Sequence, residues 1–190
     1  MNIHTIILAA GEGSRMKSKR AKSLQRVGGK TMLEMICKTA ESISAKITLI
    51  VGFDKNSIIN ESKSFDFEIS TCEQASPIGT GDAVKCGINE VDDADKVLVL
   101  YGDVPLIKKE TLENLVSTDD KSLTILSTKV DNPFGYGRVK KDNDGNVTQI
   151  IEEKDASNAD KKISEIFTGI LCCNKVLLAE ALEEIKNDNA

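Results

Sequence analysis

Short apolar runs of strand length recur along this chain, separated by stretches with helical spacing. Residues 4–8 form the first run and enter Ala9-Ala10-Gly11-Glu12-Gly13 at once, a buried strand feeding a glycine-rich turn. Residues 46–52 and 97–103 are further buried runs, and residues 123–127 another. Between them, residues 31–44 set Met32, Leu33, Met35, Ile36, Ala40 and Ile43 at helical spacing, and residues 79–88 read as a helix opened by glycine and threonine. Residues 65–71 alternate and are predicted to add a strand. Strands alternating with helices predict an α/β fold, a mainly parallel sheet with helices on both faces. The rhythm changes after Lys129. Residues 136–141 and 147–152 flank Asp142-Asn143-Asp144-Gly145-Asn146, the turn chemistry of a hairpin. Residues 163–173 add a strand and 176–185 a helix. With no repeat and no linker, residues 1–190 are expected to form one domain.

Composition narrows the chemistry. A charged fraction of 29% beside 40% apolar residues excludes wholesale disorder. No apolar run approaches 18 residues, so no membrane-spanning helix is expected. The start lacks the basic and apolar regions of a signal peptide. Five cysteines without a CxxC pair read as reduced, mostly buried thiols of a cytoplasmic protein. His4 is the sole histidine, so a multi-histidine zinc site is impossible, and any Ser-His-Asp or Cys-His system would rest on it alone. At the start of a strand it is expected on the surface. Catalysis is left to carboxylates, Lys, Arg, backbone amides or an oxygen-bound metal ion.

Charge is uneven. Residues 1–30 hold seven basic side chains (Arg15, Lys17, Lys19, Arg20, Lys22, Arg26, Lys30) against Glu12, within a chain of net charge −5. One basic segment in an acidic protein fits an anionic small molecule or a solvated loop, and argues against nucleic acid.

The glycine-rich turn suits phosphate, because glycine lets backbone amides approach phosphate oxygens. It lacks the third glycine of the dinucleotide fingerprint, and no Gly-Lys-Ser/Thr follows, so nicotinamide and P-loop readings fall away. A bare glycine turn fits equally well at this point.

The longer string Leu8-Ala9-Ala10-Gly11-Glu12-Gly13-Ser14-Arg15-Met16, followed by Lys22, resembles the signature of the sugar nucleotidyltransferases. Further segments match in order. Gln74-Ala75 with Gly79-Thr80-Gly81 resembles the segment that reads a uracil ring, and Leu100-Tyr101-Gly102-Asp103-Val104-Pro105-Leu106 the one whose aspartate holds Mg²⁺. Asn132-Pro133-Phe134-Gly135-Tyr136-Gly137-Arg138 and Ile150-Ile151-Glu152-Glu153-Lys154-Asp155-Ala156 are similar to segments of bacterial N-acetylglucosamine-1-phosphate uridylyltransferases. The resemblance runs from Ile6 to about Asn189. It implies a Rossmann-like sheet with a β-hairpin insertion over the sugar site. It implies catalytic roles for Arg15 and Lys22, and nucleotide contacts from Leu8, Ala9, Ala10, Gly11, Gly13, Gln74, Gly79, Thr80, Tyr101 and Gly102. Sugar contacts fall to Gly137, Glu152 and Thr168, and Mg²⁺ to Asp103.

The implied reaction joins UTP and N-acetylglucosamine 1-phosphate to give UDP-N-acetylglucosamine and pyrophosphate, a cell-wall and lipopolysaccharide precursor step in the cytoplasm. Two rivals stand beside it: transfer with another sugar or base, such as thymidylyl or guanylyl transfer, and a non-catalytic sugar-nucleotide-binding module. The sequence departs from the family at Ala21, where the family has proline, and at Phe167, where it has a sugar-binding asparagine. By the resemblance the domain is truncated at its C terminus, short of a second metal ligand. Bifunctional members add a β-helix half through which full-length proteins form trimers.

Overall fold

The computed structural model describes residues 2–13, 16–76, 79–118 and 123–185. The chain forms two compact units, one of residues 1–124 with 171–190 and the other of residues 125–170.

In the first unit, β1 (Ile3–Leu8) leads past the glycine turn to a 3-10 turn, Lys22–Leu24. A small hairpin follows, β2 (Arg26–Val27) and β3 (Lys30–Thr31), then α1 (Met32–Glu41), β4 (Lys46–Val51) and α2 (Lys55–Ser62). Next come β5 (Ser70–Glu73), α3 (Thr80–Ile88), β6 (Lys96–Tyr101) and α4 (Lys109–Val116). The strands lie in the order β5-β4-β1-β6, all parallel, and Leu171 to Asn174 pair antiparallel with β6. α5 (Lys175–Glu184) then packs against α3 and β6. The chain steps outward from β1 to β4 and β5, then crosses to the other side of β1 at β6. That reversal leaves a crevice beyond the strand ends, where open α/β sheets take ligands.

Both faces of this sheet are buried. Ile6, Ile50, Val97 and Val99 join Ala83, Val84 and Ile88 of α3 and Leu178 and Leu182 of α5 in one core. Alternation sends Ile7, Leu49, Leu98 and Leu100 to the opposite face, and these are fully covered. α1 packs on β4 and buries Leu33, Ile36, Cys37 and Ala40. Its Thr31 cap accepts a hydrogen bond from the Glu34 N–H at 3.0 Å.

The second unit holds the rest of β7 (Thr124–Lys129), the hairpin β8 (Arg138–Lys141) with β9 (Val147–Ile151), and the first part of β10 (Glu165–Asn174). β8 and β9 pair antiparallel, and Ile166 of β10 stands opposite Arg138. The expected turn forms: Asp142 Oδ1 accepts from the N–H groups of Asp144 and Asn146, and Gly145 takes φ 87°. These bonds hold the Asp142 carboxyl below its ordinary pKa.

Three expectations change. The strand placed at 65–71 begins only at Ser70, because Phe65 and Phe67 stack on each other at 5.6 Å instead of lining a sheet face. α2 and α4 appear where no helix was expected. α2 buries only Ile58 and Ser62, too faint an apolar stripe to read. His4 is not on the surface: it is 4% exposed, and its Nε2 lies 2.8 Å from Thr48 Oγ1. β1 is flanked on both sides, so even its first residues are covered. None of the five cysteines is in a disulfide; Cys37, Cys172 and Cys173 are buried, while Cys72 and Cys86 are half-buried.

Burial, aided by nearby Lys46, lowers the pKa of His4 below the usual 6.5. As pH falls below 6.5, the unfolded chain binds a proton that the folded chain resists, so His4 weakens stability there and costs nothing above it. Urea denaturation at pH 7.5 and pH 5 is expected to show a smaller loss for His4→Gln than for the parent. Equal losses would mean that His4 does not carry this pH dependence.

Candidate functional site

A cavity of about 350 Å³ opens at the C-terminal ends of the central strands, wholly within the first unit. Leu8, Ala9, Ala10, Gly11 and Gly13 line it from the end of β1 and the turn beyond. Backbone bonds hold this wall: the Ala9 N–H donates to Ile50 O at 2.9 Å, and the Phe53 N–H to Ala10 O at 3.1 Å. Glycine is needed beside it, because a Cβ on Gly52 would meet Ala10 Cβ at 3.0 Å. Gly13 has φ 64°, and a Cβ there would come within 2.9 Å of Lys22 Cβ. The turn and the lysine are thus packed as one piece.

Lys22 and Asp103 meet across this cavity, Nζ donating to Oδ2 in an ion pair. Asp103 follows β6, and Gly102 before it donates its N–H to Leu8 O at 2.9 Å. A Cβ on Gly102 would crowd Ser23 Cβ at 3.1 Å and Ala9 Cβ at 3.3 Å, so β1, the 3-10 turn and β6 converge closely here. The pair is partly open to water and adds little to stability. Its importance is where it stands, a cation and a carboxylate that both line the cavity.

Gln74, Gly79 and Thr80 close the third side with Tyr101. Gln74 is only 7% exposed, and its Nε2 donates to Gly79 O at 3.0 Å and to Asp82 Oδ2 at 2.8 Å. Both partners are acceptors, which fixes the amide orientation. Both amide donors are spent inside the protein, and among the described residues no hydrogen bond reaches the carbonyl oxygen.

The residues expected at the nucleotide therefore gather from three separated segments, Gly102 lying just behind the lining. Arg15 is outside the described residues. Gly137, Glu152 and Thr168 belong to the second unit. There a Cβ on Gly137 would meet Glu152 Oε1 at 3.3 Å, so those two are neighbours. The buried Arg138 guanidinium supports them, donating to Tyr136 O and, at 2.6 Å, to Glu153 Oε2. This hydrogen bond, with one from the Gly135 N–H, holds the Glu153 carboxyl below its ordinary pKa. Thr168 Oγ1 donates to Leu126 O at 2.7 Å, and half-buried Phe167 donates its N–H to Gly137 O at 2.9 Å.

The MobA-like NTP transferase domain family matches residues 5–162. The chain belongs to that family. The bifunctional protein GlmU of Psychrobacter sp. (strain PRwf-1) is 43% identical over 187 residues, covering 98% of this chain and 41% of that protein. GlmU of Clostridioides difficile (strain 630) is 40% identical over 193 residues, covering 100% of this chain and 42% of that protein. The chain thus spans about two-fifths of the length of these curated relatives. HddC from Yersinia pseudotuberculosis superimposes with a TM-score of 0.70 at 23% identity, covering 93% of this chain and 79% of that one. The 4-diphosphocytidyl-2C-methyl-D-erythritolsynthase from Anaerococcus prevotii DSM 20548 gives 0.68 at 19%, covering 97% and 77%. These two structures share the fold of this MobA-like transferase chain.

Sequence reasoning missed Ser23, Ala83 and Asp82. Asp82 was legible in principle, one turn of helix beyond the Gly79 that Gln74 touches. Ser23 is buried, and its Oγ has no partner among the described residues. No helix among the described residues is long and apolar enough to cross a membrane.

If the glycine turn and Lys22 act as one piece, Gly13→Ala is expected to weaken nucleoside triphosphate binding about tenfold or more, since the added carbon displaces Lys22 and strains a positive φ. Calorimetric titration with UTP checks this. An unchanged affinity would detach the turn from the binding site.

Proposed function

We propose that this chain transfers the uridylyl group of UTP to N-acetylglucosamine 1-phosphate, giving UDP-N-acetylglucosamine and pyrophosphate with Mg²⁺ bound. The observation that carries this reading is the cavity in which the glycine-rich turn, the Lys22–Asp103 pair and the Gln74 amide converge. The GlmU relatives support nucleotidyl transfer to a sugar 1-phosphate, and the Gln74 carbonyl, which no hydrogen bond reaches among the described residues, supports uracil. That ring presents an N3–H to an acceptor, whereas cytosine presents a bare N3, which a carbonyl oxygen repels.

The chemistry needs no proton relay. A phosphate oxygen of the sugar phosphate, already anionic, attacks the α-phosphorus of UTP. The bond to the bridging oxygen breaks, and pyrophosphate leaves with the electron pair. Positioning and charge do the catalytic work. Lys22, held on Asp103 in the free protein, can turn its ammonium to the reacting phosphates, and Arg15 is assigned the departing pyrophosphate. His4 takes no part, being buried at the opposite end of β1.

Asp103 fits a magnesium ion. No cluster of three His, Cys, Asp or Glu side chains is found among the described residues, and Mg²⁺ characteristically uses one or two carboxylates with substrate phosphates and water. Asp103 and those phosphates would hold it, and the ion supplies neutralisation of phosphate charge. Gly137, Glu152 and Thr168 are assigned the amino sugar.

Pyrophosphate release from each pairing of UTP, CTP, dTTP or GTP with N-acetylglucosamine 1-phosphate or glucose 1-phosphate tests the reading. The UTP and N-acetylglucosamine 1-phosphate pair is expected to be fastest. A faster pair would change the substrate assignment, and nucleotide binding without release would make the chain a binding module. Asp103→Asn is expected to lose about a hundredfold or more in turnover across a Mg²⁺ titration. Equal titration curves for parent and variant would remove Asp103 as the metal ligand. Asp82→Asn lets the Gln74 amide turn over, so the preference for UTP over CTP is expected to narrow about fivefold. A constant ratio of their dissociation constants would show that Asp82 does not orient Gln74.

A further inference from the structure

Ala21 carries an N–H that bears on where Lys22 stands. The residue is fully buried, and its N–H donates to Asp54 Oδ2 at 3.0 Å, from a side chain 33 positions further along the chain. The 3-10 turn begins immediately after it, with the Leu24 N–H donating to Ala21 O and the Gln25 N–H to Lys22 O. Asp54 therefore grips the entry to the turn that presents Lys22 to the cavity.

Asp54 is placed at some conformational cost. It sits at φ 54°, ψ 33°, in the left-handed region, just before α2. An aspartate there ordinarily accepts from the first amides of its own helix, but this one makes no such bond. Its carboxylate reaches Ala21 instead. A strained residue that leaves its own helix uncapped to hold another segment points to a role in that segment.

We propose that Asp54 is a positioning residue for Lys22. Its carboxylate anchors the Ala21 N–H, fixes the start of the 3-10 turn and so sets the ammonium opposite Asp103. Asp54 touches neither substrate nor reacting atoms. The proposal rests on the assignment of Lys22 to the reacting phosphates, and it concerns the accepting oxygen of Asp54, not its charge.

Three substitutions separate these effects. Glycine at 54 adopts the left-handed conformation freely but has no acceptor, whereas asparagine tolerates the conformation and keeps one. Proline at 21 has no N–H to satisfy, and Ala21 already holds φ −51°, ψ 142°, within proline's range. Turnover, Michaelis constants and melting temperature are measured for Asp54→Gly and Asp54→Asn, each alone and combined with Ala21→Pro. Asp54→Gly is expected to lower kcat about tenfold or more with a smaller change in KM. Asp54→Asn should stay within about twofold of the parent. In the Ala21→Pro background, Asp54→Gly should cost less than about twofold. The proposal is overturned by an Asp54→Gly variant with parental kcat, by equal losses in the Gly and Asn variants, or by the same loss in the proline background. A parent chain that turns over none of the nucleotide and sugar pairs overturns the transferase reading, and this proposal with it.

Discussion

The site depends on how tightly three strand ends are drawn together at the centre of the sheet. β1 is bonded parallel to β4 on one side and to β6 on the other. Beyond its last residue the bonding continues, with Ala9 tied to Ile50, Phe53 to Ala10 and Gly102 to Leu8. Gly52 and Gly102 ease this convergence, since a side-chain carbon there would stand 3.0 to 3.1 Å from a neighbour and force it to shift. Backbone from three distant segments can then form one rigid wall. Polar side chains on this wall are held by the scaffold instead of by loops of their own.

On that wall the charges are arranged for positioning. Lys22 and Asp103 neutralise one another in the free protein, which keeps both in the cavity without burying an unpaired charge. Gln74 is held by two acceptors, so its amide cannot turn freely. Asp54 reaches back to Ala21 and holds the turn from below. A proline at 21 would have no N–H to offer, so the hydrogen bond at Ala21 belongs to this sequence. These supports differ in kind, an ion pair, an amide lock and a backbone anchor, yet each limits the freedom of one polar group facing the same space. For the proposed transfer, which moves no proton, such preorganisation is the main contribution a protein can make.

The helical and strand periods were legible where burial was deep. Residues 4–8, 46–52 and 97–103 are continuous apolar runs because the central strands are covered on both faces. β5 was misplaced because Ser70 to Glu73 carry no apolar pattern and join the sheet through backbone bonds with β4. The nearby alternation at Phe65 and Phe67 came from two rings stacking, with Lys38 Nζ lying 5.4 Å from the centre of the Phe67 ring. Lys96 is the opposite case. A lysine only 2% exposed defies its side-chain type, and its ammonium donates to Val116 O and Thr118 O at the end of α4. No local pattern announces such an arrangement.

Much of the candidate site was readable because backbone demands are local. A strand running into Gly11-Glu12-Gly13, an aspartate ending the run at 97–103, and Gln74 close to Gly79 are properties of short stretches, and they determined the fold class and the wall of the cavity. Other features joined residues far apart: Asp54 with Ala21, Lys22 with Asp103, His4 with Thr48. Each of these pairs requires two strands or turns to arrive at one place at a set distance. The orientation of the Gln74 amide is another such case, since it hangs on Asp82 and on a carbonyl brought close by the turn before α3. Sequence determined which groups were available and which segments would be buried. Only the tertiary structure decided which donor met which acceptor, because hydrogen bonds and ion pairs are short-ranged and directional while the apolar pattern that drives folding is neither.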